Sequence, residues 1–305
     1  MSDLTVRRYV HVSTLPSSSL TPIADRHTGT ATGNMLIYQS QSSFIQLSTR
    51  PHPPEHTVSQ PPPIVTSDIQ RPEPFLIDAL RDIGSATASG ELAKLGVRSA
   101  HLVGPLPRLA GASIVGPAIT LQFLPKREDL HKPGEYSGPE RQLHRHALYH
   151  TQPGDIVVVD ARGNMTSGIF GDMMLTFFKG RGGAGVIVDG CIRDYPNVKK
   201  LELPLWTRGF TPNFHTQTNI WPTGVNCPIG CGGVLVMPGD IIIADDDGAV
   251  VVPIALASEL ANKAGEHAEW EVFSRQRLLE GGDLRKYYPL TDEARAEYEE
   301  WKKKQ

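Results

Sequence analysis

Cysteine is scarce in this chain, with three residues in 305: Cys191, Cys227 and Cys231. An odd, low count excludes a disulfide scaffold and favours a reducing compartment. There is no uninterrupted apolar run of about 18 residues, so no segment reads as a membrane-spanning helix. Excess positive charge is also missing. Thirty Lys and Arg stand against 33 Asp and Glu, a formal net charge of -3. That balance removes the usual electrostatic reason to expect nucleic acid or an anionic membrane as the main partner. No internal repeat occurs. What is present, 39% hydrophobic and 21% charged residues, suffices for a sizeable core in a globular protein.

The first 70 residues lack charge in particular, holding only eight of the 63 charged side chains, and are dense in Ser, Thr, Pro and Gln. Such a composition cannot bury much core, so residues 1–72 read as a mostly disordered extension. Its acid-poor, Ser-rich character resembles an organelle transit peptide but lacks a cleavage signal and a clean amphipathic helix. Cytoplasmic location is the expectation, with targeting by the extension as the alternative. Pro72 and Pro74 mark the boundary of the main domain, expected over 73–290, and residues 291–305 read as a C-terminal helix.

Within 75–95 the apolar spacing predicts two short helices separated by Gly84-Ser85-Ala86 and stopped by Gly96. A strand is expected over 114–123, a polar loop over 125–138, and a helix from Pro139 to His150. Asp155–Asp160 (DIVVVD) and Gly185–Asp189 (GVIVD) are apolar runs suited to buried strands, with a helix between them over 171–180. This is a β-α-β unit. Beyond Pro204 strands dominate, with Pro238-Gly239 and Asp247-Gly248 as turn dipeptides, the latter in a tight hairpin. A long helix follows from Ser258, read as its N-cap, to Glu280. Thr291 caps a last helix bearing the stripe Ala294, Tyr298 and Trp301.

The chemistry concentrates between Gly163 and Asp194. Gly168 and Gly171 precede a helix, so the amides of Asp172 to Met174 would be unpaired donors aimed at an anion. A substrate carboxylate suits that position. After the next strand, Gly190 and then Arg193-Asp194 place a guanidinium and a carboxylate side by side. Such a pair can bind an oxyanion and a divalent cation together.

Gly171-Asp172, then after twenty residues Arg193-Asp194, followed by Leu203-Pro204, Arg208-Gly209, Pro212-Asn213, Pro238-Gly239-Asp240 and Ala244-Asp245-Asp246-Asp247-Gly248, resembles the RraA-like superfamily. The Asp-x20-Arg-Asp signature resembles its catalytic branch, the class II 4-hydroxy-4-methyl-2-oxoglutarate/4-carboxy-4-hydroxy-2-oxoadipate aldolases. The resemblance implies an α/β fold of the β/β/α swivelling-domain type, assembled as a homotrimer or hexamer with sites between subunits. It implies cleavage of a 4-hydroxy-2-oxo diacid to pyruvate through a metal-stabilised enolate, and decarboxylation of oxaloacetate. By the same resemblance Asp194 would hold Mg2+ or Mn2+, and Arg193 would contact the C2 oxygen. Asp172 would relay a proton or hold a water on the ion. Gly171 and the amides of Asp172, Met173, Met174 and Leu175 would take the substrate carboxylate. The small-molecule partner is thus an oxo acid, and no Schiff-base lysine is needed. Lys179, seven residues beyond Asp172, reads as solvated or ion-paired.

The alternative is a non-catalytic binding protein, like the RraA members that inhibit a ribonuclease. Other clusters have blander readings. Asp245-Asp246-Asp247 fits a structural hairpin, and His146 and His150 lie on what reads as a solvated basic helix face. Cys227 and Cys231 lack a second pair for zinc. His215 and Gln217 in the HTQT segment are candidates for the far end of a pocket. Glu271 matches a position from which the resemblance implies a neighbouring subunit's glutamate reaching the site; the other reading is a helical salt bridge with Arg275.

Overall fold

The computed structural model describes residues 64–131, 134, 136, 138–214 and 219–304. The expectations for residues 1–63 therefore lie outside the described residues. Ten strands form in chain order: β1 (Leu106–Pro107), β2 (Ile114–Pro125), β3 (Ile156–Gly168), β4 (Gly185–Ile192), β5 (Leu205–Phe210), β6 (Ile220–Val225), β7 (Ile229–Cys231), β8 (Val234–Val236), β9 (Ile241–Asp245) and β10 (Gly248–Val252). The helices are α1 (Pro74–Leu80), α2 (Ser85–Lys94), α3 (Leu143–Tyr149), α4 (Asp172–Gly180), α5 (Tyr195–Val198), α6 (Ala257–Leu279), α7 (Leu284–Tyr287) and α8 (Asp292–Lys302).

The β-α-β reading of DIVVVD and GVIVD holds, and the physical reason is burial on both faces. Ile156 to Val159 and Val186 to Val188 are wholly buried, as a continuous apolar run in a parallel sheet requires. Strands β2, β3, β4 and β5 run parallel, with β1 antiparallel to β5. The order is β1-β5-β4-β3-β2-β9-β10. The twelve-residue β2 serves three neighbours: Ile114–Pro117 pair with β9, Ala118–Gln122 with β3, and Leu121–Pro125 with β6. This wraps the sheet into a nearly closed barrel. One apolar cluster joins the sheet to α3 and α4, a second joins it to the β7-β8 hairpin, and a third packs α1, α2 and α6 on β9 and β10.

Several elements differ from the sequence reading. The helix expected over 139–150 is a 3-10 turn (Pro139–Arg141) and then α3, because Gln142 leaves helical geometry at φ -96, ψ 88. Helix α6 starts before Ser258, which is not a cap: a 3-10 turn over Ile254–Leu256 feeds directly into it. The short α5 and strands β1, β6 and β7 were not expected. Strand β6 contains Pro222 and pairs with β2 through a bulge, which is where a strand tolerates proline. Thr291 does cap α8, accepting from the Ala294 amide. In the β9-β10 hairpin Gly248 pairs with Asp245, so Asp246 and Asp247 form the tip.

Residues 64–72, grouped with the extension on composition, pack on the body. Ile69 enters the core. Arg71 donates from Nη2 to the fully buried Asp155 at 2.7 Å and to the His150 carbonyl at 2.9 Å, and from Nη1 to Asp68 at 2.9 Å. Removing one partner of a buried pair leaves the other charge desolvated, which costs about 3 kcal/mol. Arg71→Ala should therefore lower unfolding free energy by about that amount in a denaturant titration. A change below about 0.5 kcal/mol, the range of a neutral surface substitution, would show that the segment does not brace the fold. No helix among the described residues is long and apolar enough to cross a membrane.

Candidate active site

The parallel strands β3 and β4 end side by side, and the segments leaving their carboxyl ends form the site, the position where open parallel sheets place ligands. After β3 the chain passes through buried Ile169 and Phe170 to Gly171, the residue before α4. After β4 it reaches Arg193, whose amide donates to the Phe170 carbonyl at 2.9 Å and so fixes the two turns against each other. Asp194 follows in the left-handed region, at φ 58 and ψ 28. A non-glycine residue there carries about 1 kcal/mol of strain, and such outliers collect at functional sites. Its carbonyl accepts from the amides of Asn197 and Val198, which holds the conformation.

These turns bring together the residues singled out from sequence. Arg193 Nε lies 3.1 Å from Asp194 Oδ2, both side chains about one-third exposed. A Cβ placed on Gly171 would fall 2.5 Å from Asp194 Oδ2 and 3.0 Å from Arg193 Nε. Gly171 is therefore required by close approach, since its φ of -107 is open to any residue. Asp172 accepts from its neighbour Met173 N at 2.8 Å through Oδ1 and from Asn197 Nδ2 at 3.2 Å through Oδ2. Asn197 was missed from sequence because nothing in its spacing marks it. It orients Asp172 from the turn that carries Asp194.

The anion-binding expectation for α4 narrows. The Leu175 amide already donates to the Gly171 carbonyl and the Met173 amide to the Asp172 side chain. This leaves the amides of Asp172 and Met174 without a protein acceptor among the described residues. Leu175 is fully buried and Met173 is exposed. Lys179 donates to the Leu201 carbonyl instead of forming an ion pair.

The cavity beside these groups has a volume of about 480 Å³ and is lined by Gly171, Asp172, Met173, Met174 and Arg193 on one side. The other side is Tyr136, Gln142, His144, Arg145 and Phe214. Reading α3 as a solvated basic face was wrong. His144 and His146 are buried, with His146 Nε2 on the Glu140 carbonyl at 2.9 Å, while Thr66 Oγ1 lies 2.8 Å from His150 Nε2. With α3 only seven residues long and packed against β6, β2 and α4, its polar residues point inward. His144 pairs with the Tyr136 hydroxyl, and burial pushes the Tyr136 phenol well above its ordinary value.

His215 and Gln217 lie outside the described residues. Glu271 is not part of this cavity: on α6 it meets His267 Nε2 at 3.2 Å, while His267 Nδ1 meets Glu91 at 2.6 Å. Burial raises the Glu91 carboxyl, but hydrogen bonds from Lys94 and His267 outweigh it and hold the group below its ordinary value. The acidic hairpin is structural, as expected. Asp245 receives Ser85 N at 2.7 Å and Ser85 Oγ at 2.6 Å at the start of α2, and Asp246 receives Gly111 N at 2.9 Å. The three cysteines are free thiols.

The chain matches the RraA-like family, described as Aldolase/RraA, over residues 76–251, more than half its length. It belongs to that family. A Streptomyces coelicolor structure, RraAS2, described as an unusual member of the RNase ES inhibitor RraA protein family, superposes with a TM-score of 0.62. The two are 43% identical, over 68% of this chain and 99% of that one. A Pseudomonas syringae protein of 24% identity shares the fold with a TM-score of 0.62, over 73% of this chain and 97% of its own. A Halalkalibacterium halodurans protein named "Putative 4-hydroxy-4-methyl-2-oxoglutarate aldolase" is 38% identical over 151 residues. That match takes in 50% of this chain and 65% of the relative, less than two thirds of its length. The RraA-like α/β fold expected from the motifs is thus the fold of this protein.

Proposed function

We propose that this RraA-like protein is a divalent-metal-dependent lyase that cleaves a 4-hydroxy-2-oxo diacid to pyruvate and also decarboxylates oxaloacetate. The observation that carries the reading is the meeting of Arg193 and Asp194 over Gly171, at the N-terminus of α4 and beside a cavity of about 480 Å³. Similarity to a protein named as an aldolase supports it.

The residues present fit Mg2+ or Mn2+. Asp194 uses Oδ2 toward Arg193, and its Oδ1 has no protein donor among the described residues. Among those residues no group of three His, Cys, Asp or Glu side chains could hold an ion. A single carboxylate with water and substrate completing the sphere suits Mg2+, which keeps most of its water. Bound there, the ion would supply Lewis-acid stabilisation of charge on the substrate's C2 oxygen.

The chain's own groups perform the rest. The Asp172 and Met174 amides take the C1 carboxylate, favoured by the helix dipole. Asp172, held by Asn197, accepts the C4 hydroxyl proton. As the C3–C4 bond breaks, its electron pair moves toward the C2 oxygen, where the Arg193 guanidinium meets the growing negative charge. Protonation at C3 then releases pyruvate. Loss of CO2 from oxaloacetate passes through the same enolate, so one site serves both reactions.

The test is pyruvate release from 4-hydroxy-4-methyl-2-oxoglutarate, coupled to lactate dehydrogenase, with Mg2+ or Mn2+ and with excess EDTA. Turnover should vanish with EDTA and fall by about 100-fold or more in Asp194→Ala. Turnover indifferent to both would overturn the assignment. A second reading, a protein-binding regulator of a ribonuclease, is favoured by the 43% identity to RraAS2. Capture of a ribonuclease together with no keto acid turnover would establish it instead. We further propose action as a homotrimer or hexamer, with Glu271 presented to a neighbouring copy. Sedimentation as a fully active monomer would refute that.

A further inference from the structure

The lining of the cavity that holds Arg193 carries a second guanidinium that the reaction scheme leaves unused. Arg145 sits on α3 and faces the same space as Arg193, Met173 and Met174. Its Nε donates to Gln142 Oε1 at 2.6 Å, which orients the group, and the two terminal nitrogens have no protein acceptor among the described residues. Among the described residues no carboxylate is paired with it. The neighbouring Tyr136 does not neutralise it either, because burial pushes that phenol up and keeps it protonated. Asp194 is paired with Arg193, and Asp172, the acidic residue among the described lining, is held by the Met173 amide and Asn197. The Arg145 guanidinium is therefore the charge left without a counterpart among the described residues. Such an imbalance suits a ligand with more than one negative charge.

The surroundings say where that second charge must stop. A smaller hollow of about 180 Å³ shares Arg145, Met173 and Met174 and is otherwise walled by Leu148, Tyr149 and Phe177. Apart from the Tyr149 hydroxyl, the described side chains past Arg145 are apolar and carry no charge to meet an anion. The planar terminal edge of an arginine matches a carboxylate with two parallel hydrogen bonds.

We infer that Arg145 is the specificity-determining residue of this site, binding the distal carboxylate of a dicarboxylic 2-oxo acid while the α4 amides hold the proximal one. This rests on the reading of the cavity as a 2-oxo acid site, and it names the residue that separates diacids from monoacids there.

Two measurements test it. In turnover, 4-hydroxy-4-methyl-2-oxoglutarate is compared with 4-hydroxy-2-oxopentanoate, which lacks the second carboxylate. Arg145→Gln should reduce the diacid-to-monoacid ratio of kcat/KM by about 10- to 100-fold, the loss falling on the diacid KM rather than on kcat. Arg145→Lys should recover part of the preference by restoring charge without the fork. A ratio unchanged in Arg145→Gln would overturn the inference.

The second measurement does not depend on catalysis. Calorimetry of the wild-type protein with 2-oxoglutarate and 2-oxopentanoate, equal in chain length, should show preference for the diacid, lost in Arg145→Gln. Equal binding of the two by the wild-type protein, or binding of neither, would also overturn it. If the lyase assay fails while this preference is present and Arg145-dependent, the proposed reaction is wrong and the diacid site stands.

Discussion

Replacing Arg193 by Ala should lower kcat for keto acid cleavage by about 100- to 1000-fold, the loss expected when a donor aimed at a developing oxyanion is removed. The same change should shift Tm by only a few degrees. The side chain is 37% exposed and its ion-pair partner, Asp194, is 35% exposed, and pairs that open to water contribute little to folding. What Arg193 gives the fold is its backbone amide on the Phe170 carbonyl, which the substitution retains. Arg193→Lys should rescue poorly, because an ammonium lacks the planar fork that can hold Asp194 and the substrate oxygen together. Steady-state kinetics beside a thermal melt separates the cases. Wild-type turnover in Arg193→Ala would remove this residue from the site.

Gly171→Ala should be nearly as damaging for a different reason. Its backbone at φ -107 and ψ 178 is available to alanine, and such a substitution alone stabilises slightly by restricting the unfolded chain. The added methyl, however, falls 2.5 Å from Asp194 Oδ2 and 3.0 Å from Arg193 Nε. Both functional groups must move, and a displacement of about 1 Å at reacting groups costs on the order of 100-fold in rate. We expect a loss of 100-fold or more with Tm within a few degrees of wild type. Gly90→Ala is the control: a Cβ there meets nothing within 4 Å, so turnover should be retained. Equal activity in the two variants would show that the Arg193–Asp194 arrangement is not what the reaction needs.

How much of this was legible in the sequence differs by element. The runs DIVVVD and GVIVD declared buried parallel strands because burial on both faces demands continuous apolar residues. Gly171, Asp172, Arg193 and Asp194 were legible because strand ends and helix starts are local events, marked by glycine and by chain direction. The acidic hairpin and the Thr291 cap belong to the same class. The extent of the available amides was overread, since only placed atoms show that Asp172 covers the Met173 amide and that Leu175 is already bonded.

Sequence by itself thus determined the strand-helix-strand frame and the residues at its carboxyl ends, since each depends on a short stretch of chain. Tertiary structure decided which side of α3 faces inward, because seven residues carry too little periodicity to choose a face. That choice turned His144 and Arg145 from apparent solvent-facing residues into the far wall of the cavity. It also decided that Arg71 would brace the body through Asp155, a contact spanning 84 residues that no local pattern encodes. Within the chain Glu271 likewise meets His267, which reaches Glu91 on α2 across 176 residues. Local pattern names the groups that a turn can bring together, whereas packing between distant segments selects what stands opposite them.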